Sequence, residues 1–381
     1  MHLGGDAAMA PSERTDLTSL IGVSIVSAVG SLPFHLLPVI LVAAVADERT
    51  SLAGAGWIAT ALVGGQLVAA FALALLRVQR MERMAIAPVG LAVIGGLWFS
   101  GLGAGALLPG WFVVGLSCGA LQYLGIVTAA GSARPQLALA LRLGTVLTVA
   151  GVSIALLQWR DALASYAALQ VHLAAITVVL LVVGGACMRA PVAASVRPAV
   201  SRAPPGWPGL LVVFVLFVGQ IGFLSYVVQE ARTGIDAAAW VLGAVKVAAG
   251  GVLLVWALRQ AEDARGLLGL GVALAACVVL ASVVEGVVLL VVALLAFEIS
   301  FNILSVALQA RVVTTGALNA RLWLTAAISL GAAVGPPLRG VFIAGGLDAW
   351  FVALAAATAL APALWSCLRS TSTTAPRAPV P

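Results

Sequence analysis

Residues 189–208 read RAPVAASVRPAVSRAPPGWP, the longest polar interruption in the chain. The stretch is rich in Pro, Ala and Arg, which marks a flexible or extended linker. On both sides of it the sequence is a succession of apolar runs, each close to the roughly 20 residues a helix needs to cross a bilayer. Six runs precede it, near 18–43, 53–76, 84–105, 107–130, 137–158 and 163–188. Six follow it, near 207–229, 236–258, 266–286, 287–309, 318–344 and 346–368, with Glu285–Gly286 as the turn between the ninth and tenth. The expected architecture is all-α and polytopic, with about twelve transmembrane helices in two six-helix bundles. The expected limits are an N-terminal tail at 1–17, bundles at 18–188 and 207–368 about a linker at 189–206, and a C-terminal tail at 369–381.

Composition agrees. The chain of 381 residues is 62% hydrophobic and 9% charged, with a mean hydropathy of +1.13. A soluble domain could not cover itself with so little polar surface. The 41 glycines fit close helix–helix approach in a membrane. Cys118, Cys187, Cys277 and Cys367 lie within or at the edges of apolar runs, with no zinc spacing and no disulfide framework. The first apolar run follows APSERTD and has no small-residue cleavage site soon after it, so it reads as a retained helix. A pI near 9.8 raises nucleic-acid binding, but the arginines are spread over short loops, which is a topology signal. With the N-terminus in the cytoplasm, 15 arginines fall on the inner side and only Arg49, Arg160, Arg232 and Arg339 on the outer. By the positive-inside rule both termini and the linker are cytoplasmic; the expected location is a bacterial inner membrane.

The two halves echo each other. VGSLPF (29–34) parallels VGQIGF (218–223), and ALALRLGTVLTVAG (138–151) parallels ALNARLWLTAAISLG (317–331), which pairs Arg142 with Arg321. GWIATALVGGQ (56–66) loosely parallels AWVLGAVKVAA (239–249). Parallel repeats in matching order are the mark of transporters that rock two halves about a central site.

From about residue 18 to 368 the sequence resembles the major facilitator superfamily, in its six-plus-six layout, its central basic loop and several degenerate motifs. RVQRMER (77–83) stands where that family has a basic loop between its second and third helices, without the usual Asp and Gly. GAAVGPPLRG (331–340) looks like the family's Gly-Pro helix motif. The fifth helix has no matching proline, and the fourth lacks the Arg carried by some proton-driven members. The resemblance implies that helices 1, 4, 7 and 10 line a cavity, that 2, 5, 8 and 11 flank it, and that Arg80 and Arg83 act in gating.

Lys246 is the single lysine among 20 basic residues, and it lies mid-run in GAVKVAAG (243–250). An ionisable side chain at a helix centre costs about 2.5–3.5 kcal/mol on insertion scales and usually faces a wet interior. His35, Lys246 and Glu298 all fall on helices that would line or flank the cavity. At about 1.5 Å per residue, His35 and Lys246 lie roughly 12–15 Å below the outer surface and Glu298 near mid-depth. Lys246 fits a substrate or coupling role, a structural ion pair with Glu298, or snorkelling toward the lipid interface.

Polar residues three or four apart share a helix face. Ser24, Ser27, Ser31 and His35 form one stripe, Glu298, Asn302, Ser305 and Gln309 another, and Arg321, Thr325 and Ser329 a third. Such stripes line a cavity or bond packed helices together. Gln66, Gln122, Gln220 and Tyr226 could contact a ligand or serve packing. His172, on an outer helix, fits a packing role. Arg142 and Arg321 open helices 5 and 11 and suit gating or contact with lipid phosphate. Pro33 and Pro38 would kink the first helix, and Pro336 and Pro337 would bend the eleventh.

GLSCG (115–119) matches the nucleophile-elbow pattern, but that pattern needs a strand–turn–helix setting. Here Gly115 and Gly119 make a small-residue packing face. No phosphate loop, metal motif or cofactor signature is present, so an enzyme is not expected. The function expected is secondary active transport of a small, anionic, carboxylate-bearing solute by a monomer, with protons as a candidate coupling ion. Lys246, His35, Gln66, Gln122, Gln220, Tyr226 and Asn302 would contact substrate, and Glu298 with His35 would carry the proton. Two alternatives remain open: an exporter of apolar or cationic compounds drawn by Glu298, and a non-transporting receptor or scaffold.

Overall fold

A computed structural model describes residues 11–50, 52–78, 83–132, 134–160, 165–188, 207–230, 235–259, 264–283, 287–315 and 318–372. The linker at 189–206, the turn at Glu285–Gly286 and Arg80 lie outside them. Among the described residues there are thirteen helices and no strand. They are α1 (Pro11–His35), α2 (Leu37–Ala46), α3 (Leu52–Leu75), α4 (Arg83–Ser100), α5 (Ala104–Ala130), α6 (Pro135–Trp159), α7 (Tyr166–Cys187), α8 (Trp207–Glu230), α9 (Ile235–Arg259), α10 (Ala264–Val283), α11 (Val287–Thr315), α12 (Leu318–Ala344) and α13 (Asp348–Ser372). Nine of these contain segments long and apolar enough to cross a membrane, and α4, α9 and α10 hold shorter apolar segments. With α1 and α2 forming one span, the helices make a polytopic twelve-span fold.

The first span is interrupted between the two prolines expected to kink it. It starts earlier, at Pro11, and is broken at Leu36. Pro38 has no N–H to return to the carbonyl one turn back, and Pro33 removes another donor. The ladder persists on either side, from the Leu36 amide to the Leu32 carbonyl (3.0 Å) and from the Ile40 amide to the Leu36 carbonyl (2.9 Å). The break leaves His35 as the last residue of α1. By contrast, α12 stays helical through Pro336 and Pro337. Arg339, assigned from the sequence to the outer side of the membrane, is a fully buried residue of α12.

The packing repeats between halves. α1 packs on α6 and α7 as α8 packs on α12 and α13. α3 and α4 pack on α5 as α9 and α10 pack on α11, and α4 meets α7 as α10 meets α13. The halves meet most extensively through two equivalent pairs, α6 on α9 and α3 on α12, and also where α6 meets α11 and α5 meets α12.

The α6–α9 pair depends on glycine. Gly144 faces Gly250 and Gly151 faces Gly243, two antiparallel contacts each seven residues apart. A Cβ added at Gly151 would stand 2.5 Å from the Gly243 carbonyl oxygen, and one at Gly250 would stand 2.8 Å from that of Gly144. Only glycine allows backbones this close.

The α3–α12 pair is tightly packed at one end. Ala70 and Ala74, at the end of α3, pack with Leu322, Ala326 and Trp323, at the start of α12. Phe71 meets Trp323 edge to face, with ring centroids 5.2 Å apart. At the opposite end Trp57 of α3 and Val341 of α12 are exposed.

Candidate functional site

Three ionisable side chains named from the sequence meet in one place. Lys246 Nζ donates to Glu298 Oε1 at 2.9 Å, with both side chains almost wholly buried. The same ammonium stands 3.4 Å from Nδ1 of His35, placed to donate to that nitrogen when it is unprotonated. His35 belongs to the first six spans and Lys246 and Glu298 to the last six, so the contact bridges the halves. Chain register accounts for the meeting. Each residue lies eleven positions from the end of its span on one side, at Ala46, Ile235 and Val287, or about 16 Å along each helix at 1.5 Å per residue.

Asn302, one turn beyond Glu298, completes the carboxylate's surroundings. Its Nδ2 donates to Glu298 Oε2 (2.8 Å) and to the Glu298 backbone carbonyl (2.6 Å). Each carboxylate oxygen thus has a donor, the condition under which a buried charge pair is tolerated. Breaking such a pair by removing one partner typically costs about 3–5 kcal/mol.

Arg142 is the other buried cation of this region. It lies seven residues past Pro135, two turns inside α6, and is 5% exposed. Its Nε donates to Ser27 Oγ (2.7 Å) and its Nη2 to Ser31 Oγ (3.3 Å), both on α1. The sequence reading assigned Arg142 to the inner end of its helix and to gating. It missed this depth because an arginine eight residues from a polar turn reads as a helix start.

The neutral candidates divide. Gln66 Nε2 donates to the Gly30 carbonyl at 3.2 Å, joining α3 to α1. Gln220 is fully buried and bonds the Ala355 carbonyl (2.7 Å) and Thr358 Oγ1 (3.1 Å), fixing α8 to α13. The side-chain oxygens of Gln122, Gln220 and Thr325 are buried with no hydrogen-bond partner. Gln309 bonds Ser305 along its own helix. Arg321 is partly buried one turn into α12. The side chains of Tyr226 and Arg83 lie outside the described residues. His172 bonds the Ala168 carbonyl one turn back (2.7 Å).

Two further polar networks escaped the sequence reading. Arg339 pairs with Asp348 (Nε to Oδ1, 3.1 Å), donates to the Phe223 carbonyl and lies over the Phe223 and Phe351 rings. It pins α12 to α8 and α13. In the first half, Trp111 Nε1 donates to the Tyr166 hydroxyl (2.6 Å), and Asp47 accepts from the Tyr166 amide (3.1 Å). With Ser165 accepting from the Ala168 amide, Asp47 caps α7. Among the described residues no group of His, Cys, Asp and Glu could hold a metal ion.

No family model matches the sequence, and no curated relative matches it. The fold is nonetheless that of the major facilitator superfamily. The human organic anion transporter MFSD10 (TETRAN) superposes with a TM-score of 0.69 at 14% identity, over 93% of this chain and 99% of that one. The transporter FucP in its outward conformation gives 0.65 at 15%, over 92% and 97%. A variant of the E. coli fucose:proton symporter FucP gives 0.61 at 16%, over 92% and 97%.

Proposed function

We propose that the chain is a secondary active transporter for a small anionic, carboxylate-bearing solute, working by alternating access and coupled to protons. The observation that carries this reading is the buried Lys246–Glu298 pair in contact with His35 across the two halves. A charge pair at mid-membrane is costly to build, and its placement where two rocking bodies meet gives it a part in their movement. A proton on Glu298 releases Lys246. The freed ammonium then attracts a substrate carboxylate, and His35 hydrogen-bonds the substrate or passes the proton. Asn302 holds Glu298 in place in both states.

The fold supports the alternating-access part of the proposal. The α3–α12 contact at Phe71 and Trp323 forms a closed gate on the side that the arginine bias assigns to the cytoplasm. In this reading the bundles span 18–188 and 207–368, the termini and linker are cytoplasmic, the membrane is a bacterial inner membrane, and the monomer is the working unit. Gln66 and Gln220, whose amide nitrogens bond neighbouring helices, serve helix packing, and Gln122 is the neutral contact. Among proteins of similar fold are an organic anion transporter and a fucose:proton symporter, which supports a soluble organic substrate. An exporter drawn to cations by Glu298 has less support, because Lys246 and Asn302 already occupy that carboxylate.

The experiment is uptake by purified protein in proteoliposomes carrying an inward pH gradient, scored against a panel of radiolabelled carboxylates and organic cations. Gradient-stimulated uptake of a carboxylate bears the proposal out. Uptake of cations alone, or of nothing in the panel, refutes it.

A further inference from the structure

Lys246 is neutralised where it stands, and Arg142 is not. Among the described residues no carboxylate lies within ion-pair distance of the Arg142 guanidinium, whose hydrogen bonds go to two uncharged hydroxyls. The acids that do pair lie elsewhere: Glu298 on Lys246, Asp348 on Arg339, Asp47 beside Arg49. With His35 neutral, the buried set Arg142, Lys246 and Glu298 carries a net charge of +1. An isolated cation in a low-dielectric interior calls for an anion.

The shape of the contact tells how the anion would bind. Ser27 and Ser31 are one turn apart on α1, and they hold the Nε–Nη2 side of the guanidinium. The described residues supply no hydrogen bond to Nη1. The Nη1–Nη2 end of the fork is the edge that takes a carboxylate with two parallel hydrogen bonds. Gly125 makes room for the serine contact itself, since a Cβ there would collide with Ser27 and stand 3.5 Å from Arg142 Nε.

Resting on the anionic-substrate reading above, we infer that Arg142, oriented by Ser27 and Ser31, is the primary carboxylate-docking group, and that Lys246 is a conditional second contact. One anion on Arg142 neutralises the site while Lys246 and Glu298 stay paired. A proton on Glu298 then frees Lys246 as a second cation. The substrate class that uses both is a carboxylate bearing a second anionic or strongly accepting group.

The test uses the full-length purified chain in detergent with benzoate, succinate and citrate as probes. The carboxylate that raises the wild-type melting temperature most is titrated against variants. Arg142→Gln should weaken its binding about 30-fold or more, and Arg142→Lys about 10-fold because the fork is lost. The charge-neutral double change Lys246→Met with Glu298→Gln removes the conditional second contact and should weaken binding less than Arg142→Gln does. If Arg142→Gln does not fold, Ser27→Ala with Ser31→Ala keeps the charge but not its orientation, and should weaken binding about 5- to 10-fold. Binding by folded Arg142→Gln, or by the double serine variant where it stands in, within about threefold of wild type overturns the inference. Continued gradient-driven uptake of the same compound would then leave the transport reading standing. A wild type that no carboxylate stabilises overturns both. An Arg142-dependent shift with dioctanoylphosphatidylglycerol but with no carboxylate assigns the site to lipid phosphate and overturns the inference as well.

Discussion

Lys246 Nζ lies 2.9 Å from Glu298 Oε1, deep in a chain that has no other lysine. The two residues are on different helices of one half, and His35 of the other half lies against them. This arrangement makes the pair a structural contact within one half that also touches the other. Stability and coupling separate experimentally.

Lys246→Met leaves Glu298 with a buried carboxylate and only Asn302 to support it. The single change should lower stability in detergent by about 3 kcal/mol, in the range for one partner lost from a buried pair. Adding Glu298→Gln should restore stability to within about 1 kcal/mol of wild type, since matched neutral residues commonly replace such pairs without loss. Denaturant or thermal unfolding of wild type, both single variants and the double variant gives the coupling directly. Equal stability of the single and double variants would contradict a folded-state ion pair.

The α6–α9 seam should tolerate no added bulk. Gly151→Val and Gly250→Val place side chains against backbone carbonyls of the facing helix. Each should destabilise the chain by about 1–3 kcal/mol, the usual range for overpacking. The same change at Gly64, where no atom lies within 4 Å of an added Cβ, should have little effect. Melting temperatures of the three variants, measured side by side, check the contrast.

The arginine bias predicts sidedness. Cysteines placed at Ser201 and Ser370 should resist impermeant thiol reagents in intact cells, and one placed at Ser51 should react. Labelling at Ser201 from outside would reverse the assigned topology and with it the side on which Phe71 and Trp323 meet.

Much of the fold was legible because the bilayer imposes it. Apolar runs near 20 residues long and the single polar break at 189–208 are consequences of backbone hydrogen bonding in hydrocarbon. The helix starts near Ile235 and Val287 were readable to within a residue, which put Lys246 and Glu298 on equal terms. What the sequence could not supply was azimuth. A mean hydropathy this high leaves almost no amphipathic contrast, so which helix face meets which neighbour must come from packing. That is why Gln220 and Gln122 looked alike, although the amide nitrogen of Gln220 bonds α13 while both keep a buried oxygen without a partner. Arg142 was assigned to the helix end for the same reason, because its register fits an end until α1 is laid beside α6. The Pro33–Pro38 spacing did point to a distortion beside His35, while the helical course of α12 through Pro336 and Pro337 depended on neighbours the sequence does not reveal.

The central claim is that Glu298 couples proton movement to substrate movement, and Glu298→Gln tests it most directly by mimicking the protonated carboxyl. In one preparation of proteoliposomes, counterflow exchange and pH-gradient-driven accumulation of the same carboxylate would be measured for wild type and variant. The account predicts that the variant keeps exchange within about threefold of wild type and loses accumulation above the equilibrium level. Accumulation by Glu298→Gln equal to that of wild type would contradict the coupling role.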